Sequence, residues 1–384
     1  MIRFNELERI HVELSSACNA ACPSCPRNVD GGYTAPWLTQ RTMSTLDFKL
    51  IFDEETLLQI KSILMCGNYG DPIFCSDLPE ILAYVSSINS TVDITVHTNG
   101  GIRSTDWWAK LAVSYQNLRV VFSIDGLEDT NHIYRRRVKW ERVIENAAAF
   151  ISAGGIAIWE FLIFEHNEHQ IEQAQELSEK MGFSEIQFKR PFGFDSFDSS
   201  HQRMRVLDKT GAVEYYIYPP LETGFKNQNN KTTDRYQNDD GLPPTVFEST
   251  LEYKQHHIDD LIAADGHTLA HLDGTALNCM VKENKEIYID SDGRLHPCCF
   301  LGIGGQPATI ANDAIQYARW LEQNIADAND CKQHSVRQIL DSNILTGISD
   351  SWDKSHADGR MQCCTRMCVK DTGLKERLYV NDAK

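Results

Sequence analysis

The stretch Cys18-Asn19-Ala20-Ala21-Cys22-Pro23-Ser24-Cys25 decides the fold, and it follows the apolar run Ile10-His11-Val12-Glu13-Leu14. The pattern C-x-x-x-C-x-x-C supplies three thiolates, which can hold three irons of a [4Fe–4S] cube and leave the fourth iron open to another ligand. A zinc site and a disulfide with one free thiol are the alternatives. Structural zinc needs four ligands, and no fourth Cys or His follows within the next several residues.

Length and composition limit the class of protein. With 384 residues the chain can form one large core and a smaller second unit, since single cores stop growing at roughly 250–300 residues. No apolar run approaches the ~20 residues that span a bilayer, and the start lacks the apolar core of a signal peptide, so we expect a cytoplasmic protein without membrane segments. The net charge of −17 disfavours a nucleic-acid partner, because binding to phosphates needs Lys and Arg. Twelve cysteines are many for a reducing compartment unless most of them bind metal.

Six short apolar runs alternate with segments of helical pattern. The runs are Ile10–Leu14, Ser62–Cys66, Val92–His97, Arg119–Ile124, Ile156–Phe164 and Glu185–Lys189. A helix is predicted over Leu46–Ile60. This alternation predicts an α/β fold with a parallel sheet and right-handed crossovers. Six such units make a partial (β/α)6 TIM-like barrel, in which functional residues gather at the carboxyl ends of the strands.

Glycine-rich and small polar segments follow three of these runs. Gly67-Asn68-Tyr69-Gly70-Asp71 contains two glycines that allow the backbone to approach a ligand closely. Asn99 ends the third run, and Ser123 and Asp125 end the fourth, where short polar side chains can bond to a ribose or a carboxylate. Arg135, in a basic segment, offers a guanidinium to an anion. Ordinary turn and surface chemistry is the alternative for each segment.

Together these segments resemble the radical S-adenosylmethionine (radical SAM) superfamily, whose open cluster iron takes the amino and carboxylate groups of SAM. The resemblance implies that Cys18, Cys22 and Cys25 hold the catalytic, SAM-binding cluster. It implies further contacts to SAM from Gly67, Asn68, Tyr69, Gly70, Asp71, Asn99, Ser123, Asp125 and Arg135. Two positions depart from the family pattern. Asp71 stands where Glu is usual, and Ser24 stands where an aromatic residue normally packs near the adenine.

A second group of cysteines lies in the C-terminal part of the chain. Lys285–Cys298 has two alternating strands around Asp292-Gly293 and predicts a β-hairpin. Helices are predicted over Ala311–Ala326 and Ser335–Ile344, and a late loop over Cys363–Cys368. A hairpin brings its ends together, so two cysteines near its ends can share a metal site with two late cysteines. The predicted ligands are Cys279, Cys298, Cys364 and Cys368.

Several choices in this second group stay open. Cys299 competes with Cys298, and Cys363 competes with Cys364, because adjacent cysteines cannot be ranked from sequence. Cys331 is either a ligand or a buried apolar residue. A zinc ion held by four cysteines is the alternative to a cluster, since zinc ribbons also use hairpin cysteines.

The spacing from Gly293 to Cys298 resembles the twitch and SPASM auxiliary-cluster domains that follow many radical SAM barrels. The shorter twitch domain, with one auxiliary [4Fe–4S] cluster, is the closer match. We therefore predict a barrel over residues 1–190, a linker or lid over 191–277, and a small α+β domain of twitch (SPASM-like) type over 278–384. Because the barrel begins almost at once, we expect no N-terminal domain for a peptide leader.

The resemblance implies an oxidoreductase or maturase of the radical SAM type. Such an enzyme reductively cleaves SAM to a 5′-deoxyadenosyl radical and removes hydrogen from a peptide or small-molecule substrate. An external one-electron reductant such as flavodoxin or ferredoxin is the implied partner. Two other classes stay open. A non-catalytic iron–sulfur electron carrier has no use for the loops Gly67–Pro72 and Ser123–Gly126, and a zinc-binding interaction protein would bind no iron.

Overall fold

The protein is described by a computed structural model at residues 1–191, 203–222, 263, 266–267, 269–303 and 312–369. Most of the predicted linker or lid at 191–277 lies outside these residues. Within them, no helix is both long enough and apolar enough to cross a membrane.

A mostly parallel sheet forms the centre of the fold. The strands are β1 (Arg9–Val12), β2 (Asn28–Val29), β3 (Tyr33–Thr34), β4 (Ser62–Met65), β5 (Asp93–Thr98), β6 (Leu118–Ser123), β7 (Ile156–Leu162), β8 (Glu185–Lys189), β9 (Met204–Leu207), β10 (Val213–Ile217), β11 (Glu286–Ile289) and β12 (Leu295–His296). The main sheet has the order β12-β11-β1-β4-β5-β6-β7-β8, and its neighbours are parallel except β11 and β12. The six predicted runs are β1 and β4 to β8, so the predicted α/β partial barrel is confirmed.

Helices connect these strands and form most of the C-terminal part. They are α1 (Thr45–Ile51), α2 (Glu54–Gln59), α3 (Leu78–Ile88), α4 (Thr105–Ala112), α5 (Asn131–Tyr134), α6 (Trp140–Ser152), α7 (Ile171–Met181), α8 (Met280–Asn284), α9 (Cys299–Ile303), α10 (Asn312–Asn324), α11 (Val336–Asp341), α12 (Thr346–Asp350) and α13 (Gln362–Cys368). Short 3₁₀ turns lie at Phe4–Glu6, Pro72–Phe74, Glu168–Gln170 and Ala270–Leu272.

Two predicted elements differ from the structure. The helix predicted over Leu46–Ile60 is two helices, because Asp53 starts a new one: its side chain accepts a 2.8 Å hydrogen bond from the amide of Thr56. The segment predicted as a late loop is helix α13. This helix places Cys364 and Cys368 one turn apart on the same face.

Burial alternates along the barrel strands. In β5, Ile94 and Val96 are buried in the core that also contains Leu78 and Trp108 of the covering helices. His97, on the opposite face, is only half-buried. This opposite face is the inner face of the partial barrel, and it carries the polar side chains described below.

The predicted hairpin exists and belongs to the main sheet. Strand β11 pairs in parallel with β1, from Arg9 opposite Glu286 to Val12 opposite Ile289. Gly293 has a φ of +86° in the turn before β12, a conformation that favours glycine. A separate apolar cluster packs Leu301, Tyr317, Ile348, Met361, Cys363 and Cys364 together. The C-terminal part is therefore an α+β region that shares a sheet with the barrel, and the boundary at residue 278 stays a prediction.

Candidate functional site

The cysteine motif lies in the loop after β1, and polar groups from other segments face two of its sulfurs. Asn99 Nδ2, after β5, lies 3.5 Å from Cys18 Sγ. Arg135 Nη1, after α5, lies 3.7 Å from Cys22 Sγ. Each group can donate a hydrogen bond to sulfur, which favours the thiolate form that binds metal. The predicted residues Asn99 and Arg135 thus meet at the predicted cluster motif.

Cys22 is buried and Cys18 and Cys25 are partly buried, which changes the acidity of the three thiols. Burial raises the pKa of Cys18 and Cys22, and it raises the pKa of Cys25 to about 12. Without a metal the thiols are therefore neutral, and ligation releases their protons. Three neighbouring thiols, two of them facing hydrogen-bond donors, are the soft donor set that an iron–sulfur cluster requires. The residues present fit the cluster that the sequence predicts.

Asp71 ties the loop after β4 to the end of β5. Its Oδ2 accepts hydrogen bonds from the backbone amide and the side-chain amide of Asn99, at 2.8 and 2.7 Å. The hydroxyl of Thr98 donates to the same oxygen at 3.0 Å, and the amide of Ile73 donates to Oδ1 at 3.1 Å. Asp71 is buried, and the hydrogen bonds that it accepts from Asn99 hold that side chain against Cys18. Its contact with the amino group of SAM stays a prediction.

Asp125 and Arg135 form a buried ion pair beside the motif. Arg135 Nε lies 2.5 Å from Asp125 Oδ2, and the backbone amide of Leu162 donates to Asp125 Oδ1 at 2.8 Å. The side chain of Asp125 is fully buried, whereas that of Arg135 is 17% exposed. The pair therefore fixes the guanidinium between the end of β6 and Cys22. It remains accessible to an anion, as the predicted contact with the SAM carboxylate requires.

The side chains of Asn68 and Tyr69 point away from the cysteine motif. Asn68 Nδ2 donates to the carbonyl of Cys299 at 2.8 Å, and Tyr69 Oη donates to the carbonyl of Ile303 at 2.6 Å, both on α9. Only the backbone carbonyl of Asn68 approaches the motif, 3.9 Å from Cys25 Sγ. These two predicted residues therefore offer backbone groups to the site, while their side chains hold α9 to the loop.

The two glycines of this loop are required by close packing. A Cβ on Gly70 would lie 1.9 Å from the carbonyl oxygen of Ser15, and a Cβ on Gly67 would lie 2.5 Å from Glu13 Oε1. A side chain at either position would displace the loop. The glycines thus bring the backbone against the segment that follows β1, and the predicted close approach to a ligand stays a prediction.

Ser123 ends β6 beside a charged cluster that the sequence analysis missed. It lies opposite Glu160 of β7 in the sheet, and its hydroxyl has no hydrogen-bond partner among the described residues. Glu160 pairs with Lys189 of β8, and its Oε2 lies 3.5 Å from His97 Nδ1 of β5. Burial alone would raise the pKa of Glu160, but His97 and Lys189 outweigh it and lower the pKa to about 2. The sequence signal for this cluster was the presence of His97, Glu160 and Lys189 in otherwise apolar strands.

A tyrosine compensates for the departure at Ser24. The Ser24 hydroxyl lies 2.5 Å from Tyr134 Oη, and the ring of Tyr134 packs on Phe164 at 4.6 Å between centroids. Phe164 in turn stacks on His166. An aromatic surface therefore stands beside the third cysteine, although it comes from α5 and the segment after β7. No pattern in the sequence connects Tyr134 to Ser24.

The second cysteine group surrounds a small apolar cavity. Its lining includes Cys279, Cys298, Cys363, Cys364, Cys368, Pro297, Phe300, Leu301, Ile348, Trp352 and Met367. The backbone amide of Asn278 donates to the carbonyl of Cys368 at 2.6 Å, which brings the segment before α8 to the end of α13. All four predicted ligands therefore face one cavity.

The structure separates the alternative ligands of this group. Cys299 is absent from the cavity lining, and its charge interactions are with Cys298, Glu286 and Cys66, which contribute after burial to its raised pKa. Cys331 packs in the core of the main sheet. Cys363 lines the cavity together with Cys364, so these two remain alternatives.

Neither cysteine group is arranged for a single ion. Among the residues that the structure describes, no three His, Cys, Asp or Glu side chains lie close enough together to share one metal ion. A four-iron cube holds its thiolates farther apart than one tetrahedral zinc does. The choice between a cluster and zinc therefore stays a prediction.

Comparison with known proteins agrees with this site. Residues 12–177 match the radical SAM superfamily. The structure of anSMEcpe with bound AdoMet is 13% identical with a TM-score of 0.50, over 95% of this chain and 86% of that one. SuiB of Streptococcus suis, bound to S-adenosylmethionine, is 13% identical with a TM-score of 0.44, and BtrN in complex with AdoMet and 2-DOIA is 12% identical with a TM-score of 0.40.

The extent of these matches differs between the proteins. The match to SuiB covers 77% of this chain and 61% of SuiB, so this chain spans less than two thirds of that protein, whereas the match to BtrN covers 97% of both. The likeness to anSMEcpe shows a shared fold. The residues that match the superfamily include Cys18, Cys22, Cys25 and the polar strand ends that meet them. Residues 12–177 are therefore a domain of the radical SAM superfamily.

Proposed function

We propose that this chain is an enzyme that reductively cleaves SAM at the Cys18, Cys22 and Cys25 motif and removes hydrogen from a peptide or small molecule. The observation that carries the proposal is the meeting of one buried and two partly buried thiols with Asn99 and Arg135 at one edge of the sheet. A four-iron cluster held there supplies, when bound, the electron that cleaves SAM to a 5′-deoxyadenosyl radical. An external one-electron reductant such as flavodoxin or ferredoxin provides that electron.

The surrounding residues orient SAM. Arg135, fixed by Asp125 at 2.5 Å, presents its guanidinium to the SAM carboxylate. The backbone of Gly67–Gly70 faces the SAM amino group, and Asn99 and Ser123 offer hydrogen bonds to the ribose or the carboxylate. Tyr134 provides an aromatic surface for the adenine. These groups confine the reactive species and exclude water from it.

The substrate, in this proposal, lies on the inner face of the partial barrel beside His97, Glu160 and Lys189. Placing three ionisable side chains in a barrel interior is costly unless they are paired or used by a ligand. Glu160 contacts both His97 and Lys189, and the side chains of these two residues are 23% and 14% exposed. A polar or charged group on the substrate is the match for this surface.

The second cysteine group, in this proposal, holds one auxiliary [4Fe–4S] cluster through Cys279, Cys298, Cys364 and Cys368. Support comes from the shared cavity, where the thiols of Cys298 and Cys368 lie close enough to Cys364 to contribute, after burial, to its raised pKa. Four thiolates would leave this cluster without a site for SAM. It would serve electron transfer from the substrate or would order the C-terminal region.

Anaerobic reconstitution tests the proposal. We expect about eight irons and eight sulfides per chain, and 5′-deoxyadenosine on reduction with SAM. Iron without 5′-deoxyadenosine would favour the electron carrier. Zinc in elemental analysis of colourless, anaerobically purified protein would favour the interaction protein.

A further inference from the structure

Glu13 is a buried carboxyl group at the end of β1 whose partners belong to two distant parts of the chain. Its Oε1 accepts hydrogen bonds from the backbone amides of Tyr69 and Gly70, at 2.8 and 2.9 Å. Its Oε2 accepts a 2.9 Å hydrogen bond from the hydroxyl of Tyr288. The side chain of Glu13 is fully buried.

The two amides belong to the loop that we propose for the amino group of SAM. Consecutive amides that point to one acceptor fix the backbone between them. Gly67 packs against the same carboxylate, since a Cβ there would lie 2.5 Å from Oε1. The shape of the whole Gly67–Gly70 turn therefore depends on one side chain, that of Glu13 directly after β1.

The third partner brings in the C-terminal region. Tyr288 is fully buried on β11, and its ring lies against His11 and Gly302. Gly302 belongs to α9, which also receives the hydrogen bonds from Asn68 and Tyr69. The loop is thus held between β1 and the hairpin that precedes Cys298.

A buried carboxyl group is costly, and apolar side chains fill most other buried positions of this strand. Burial without full pairing costs several kcal/mol for a charged group. Two amides and a hydroxyl recover part of that cost, but no cationic side chain forms an ion pair with Glu13 among the described residues. Stability alone would favour an apolar residue here, whereas holding a loop requires an acceptor.

We infer that Glu13 is a positioning residue for SAM, which holds the Gly67–Gly70 backbone in its binding shape and, through Tyr288, makes that shape depend on the C-terminal hairpin. This inference rests on the proposed function. Loss of the acceptor would leave two amides unpaired and release the turn, which weakens SAM binding without removing any group that touches SAM.

The test compares Glu13→Leu, Glu13→Gln and Tyr288→Phe in the reconstituted protein. Binding of SAM is measured by anaerobic equilibrium dialysis, and exchange of the Tyr69 and Gly70 amide hydrogens is measured by mass spectrometry without SAM. We expect Glu13→Leu to weaken SAM binding by about tenfold or more and to speed exchange at both amides, since a lost buried hydrogen bond costs ~1–3 kcal/mol. Glu13→Gln keeps an acceptor oxygen and should stay within about threefold of the parent.

Tyr288→Phe leaves every SAM-facing group and Glu13 in place, so we expect an intermediate loss of affinity. Glu286→Gln is the matched control. It removes a different, partly buried carboxylate, which lies at the start of β11 and pairs with Arg9. A folded Glu13→Leu protein with parental SAM affinity and parental amide exchange would overturn the inference. Should Glu13→Leu fail to fold, equal affinities of Tyr288→Phe and the parent would do so. If the parent itself binds no SAM, the proposed function fails. The exchange measurement still tests whether Glu13 fixes the Gly67–Gly70 backbone.

Discussion

The two cysteine groups are built in opposite ways. Cys18, Cys22 and Cys25 lie within eight residues of one loop, and polar groups from two other segments face the sulfurs. The second group comes from three separated segments and lines a cavity of mainly apolar side chains. A metal site that also binds a small molecule needs hydrogen-bond donors around it. A site whose metal is bound only by protein side chains can be closed to other molecules. The comparison supports the first group as the site of the proposed SAM chemistry.

The largest expected effect separates the first group from the second. Cys18→Ala removes one of the three proposed ligands, so we expect complete loss of 5′-deoxyadenosine formation and a fall from about eight irons to about four. Iron and sulfide analysis and product chromatography check this. Cys75→Ala is the control, because Cys75 is a buried cysteine that packs in the apolar core. Full SAM cleavage by Cys18→Ala would remove the distinction between the groups.

A second pair of variants tests the C-terminal group. Cys298→Ala should lose about four irons and keep SAM cleavage in the absence of substrate. The reason is that the cysteines proposed for the auxiliary cluster are separate from those proposed for the SAM-binding cluster. Cys299→Ala, one residue away but outside the cavity lining, should keep all irons. Iron counts that fall in Cys299→Ala and not in Cys298→Ala would reverse the assignment.

The polar surroundings of the first group predict a large loss of stability. Asp125→Ala leaves the Arg135 guanidinium without its buried partner, and we expect the free energy of unfolding to fall by ~3–5 kcal/mol. Asp93→Ala removes an exposed carboxylate at the start of β5 and should change it by no more than about 0.5 kcal/mol. Urea denaturation measures both. A small effect of Asp125→Ala would show that the pair is not shielded from solvent.

The smallest expected effect concerns Glu13, which links the Gly67–Gly70 turn to Tyr288 of the C-terminal hairpin. Burial raises the pKa of Glu13 from 4.5 to about 7. The native state therefore prefers the protonated form, and this contribution to stability is present below pH 4.5 and is lost as the pH rises through 7. Relative to Glu13→Gln, the parent should lose up to about 3 kcal/mol between these pH values. Urea denaturation of the parent and of Glu13→Gln across this range measures the difference, and an equal pH dependence of the two proteins would contradict the prediction.

Local motifs predicted much of this molecule because their partners are close in sequence. The alternation of apolar runs identified β1 and β4 to β8, since the side chains of a strand repeat with a period of two. The loops at Gly67, Asn99 and Asp125 were identified because the strands end there. The break at Asp53 was missed, since a capping side chain can begin a new helix within an unbroken apolar pattern.

The sequence by itself determined the alternating α/β fold, the three clustered thiols and the polar ends of the strands, because each of these is set by neighbouring residues. Tertiary structure alone decided that β11 lies beside β1, that Cys298 and not Cys299 faces the cavity, and that Tyr134 meets Ser24. It also decided that Glu13 joins Tyr69 to Tyr288. These contacts span up to hundreds of residues, and packing and the pairing of buried polar groups select them only when the chain is folded.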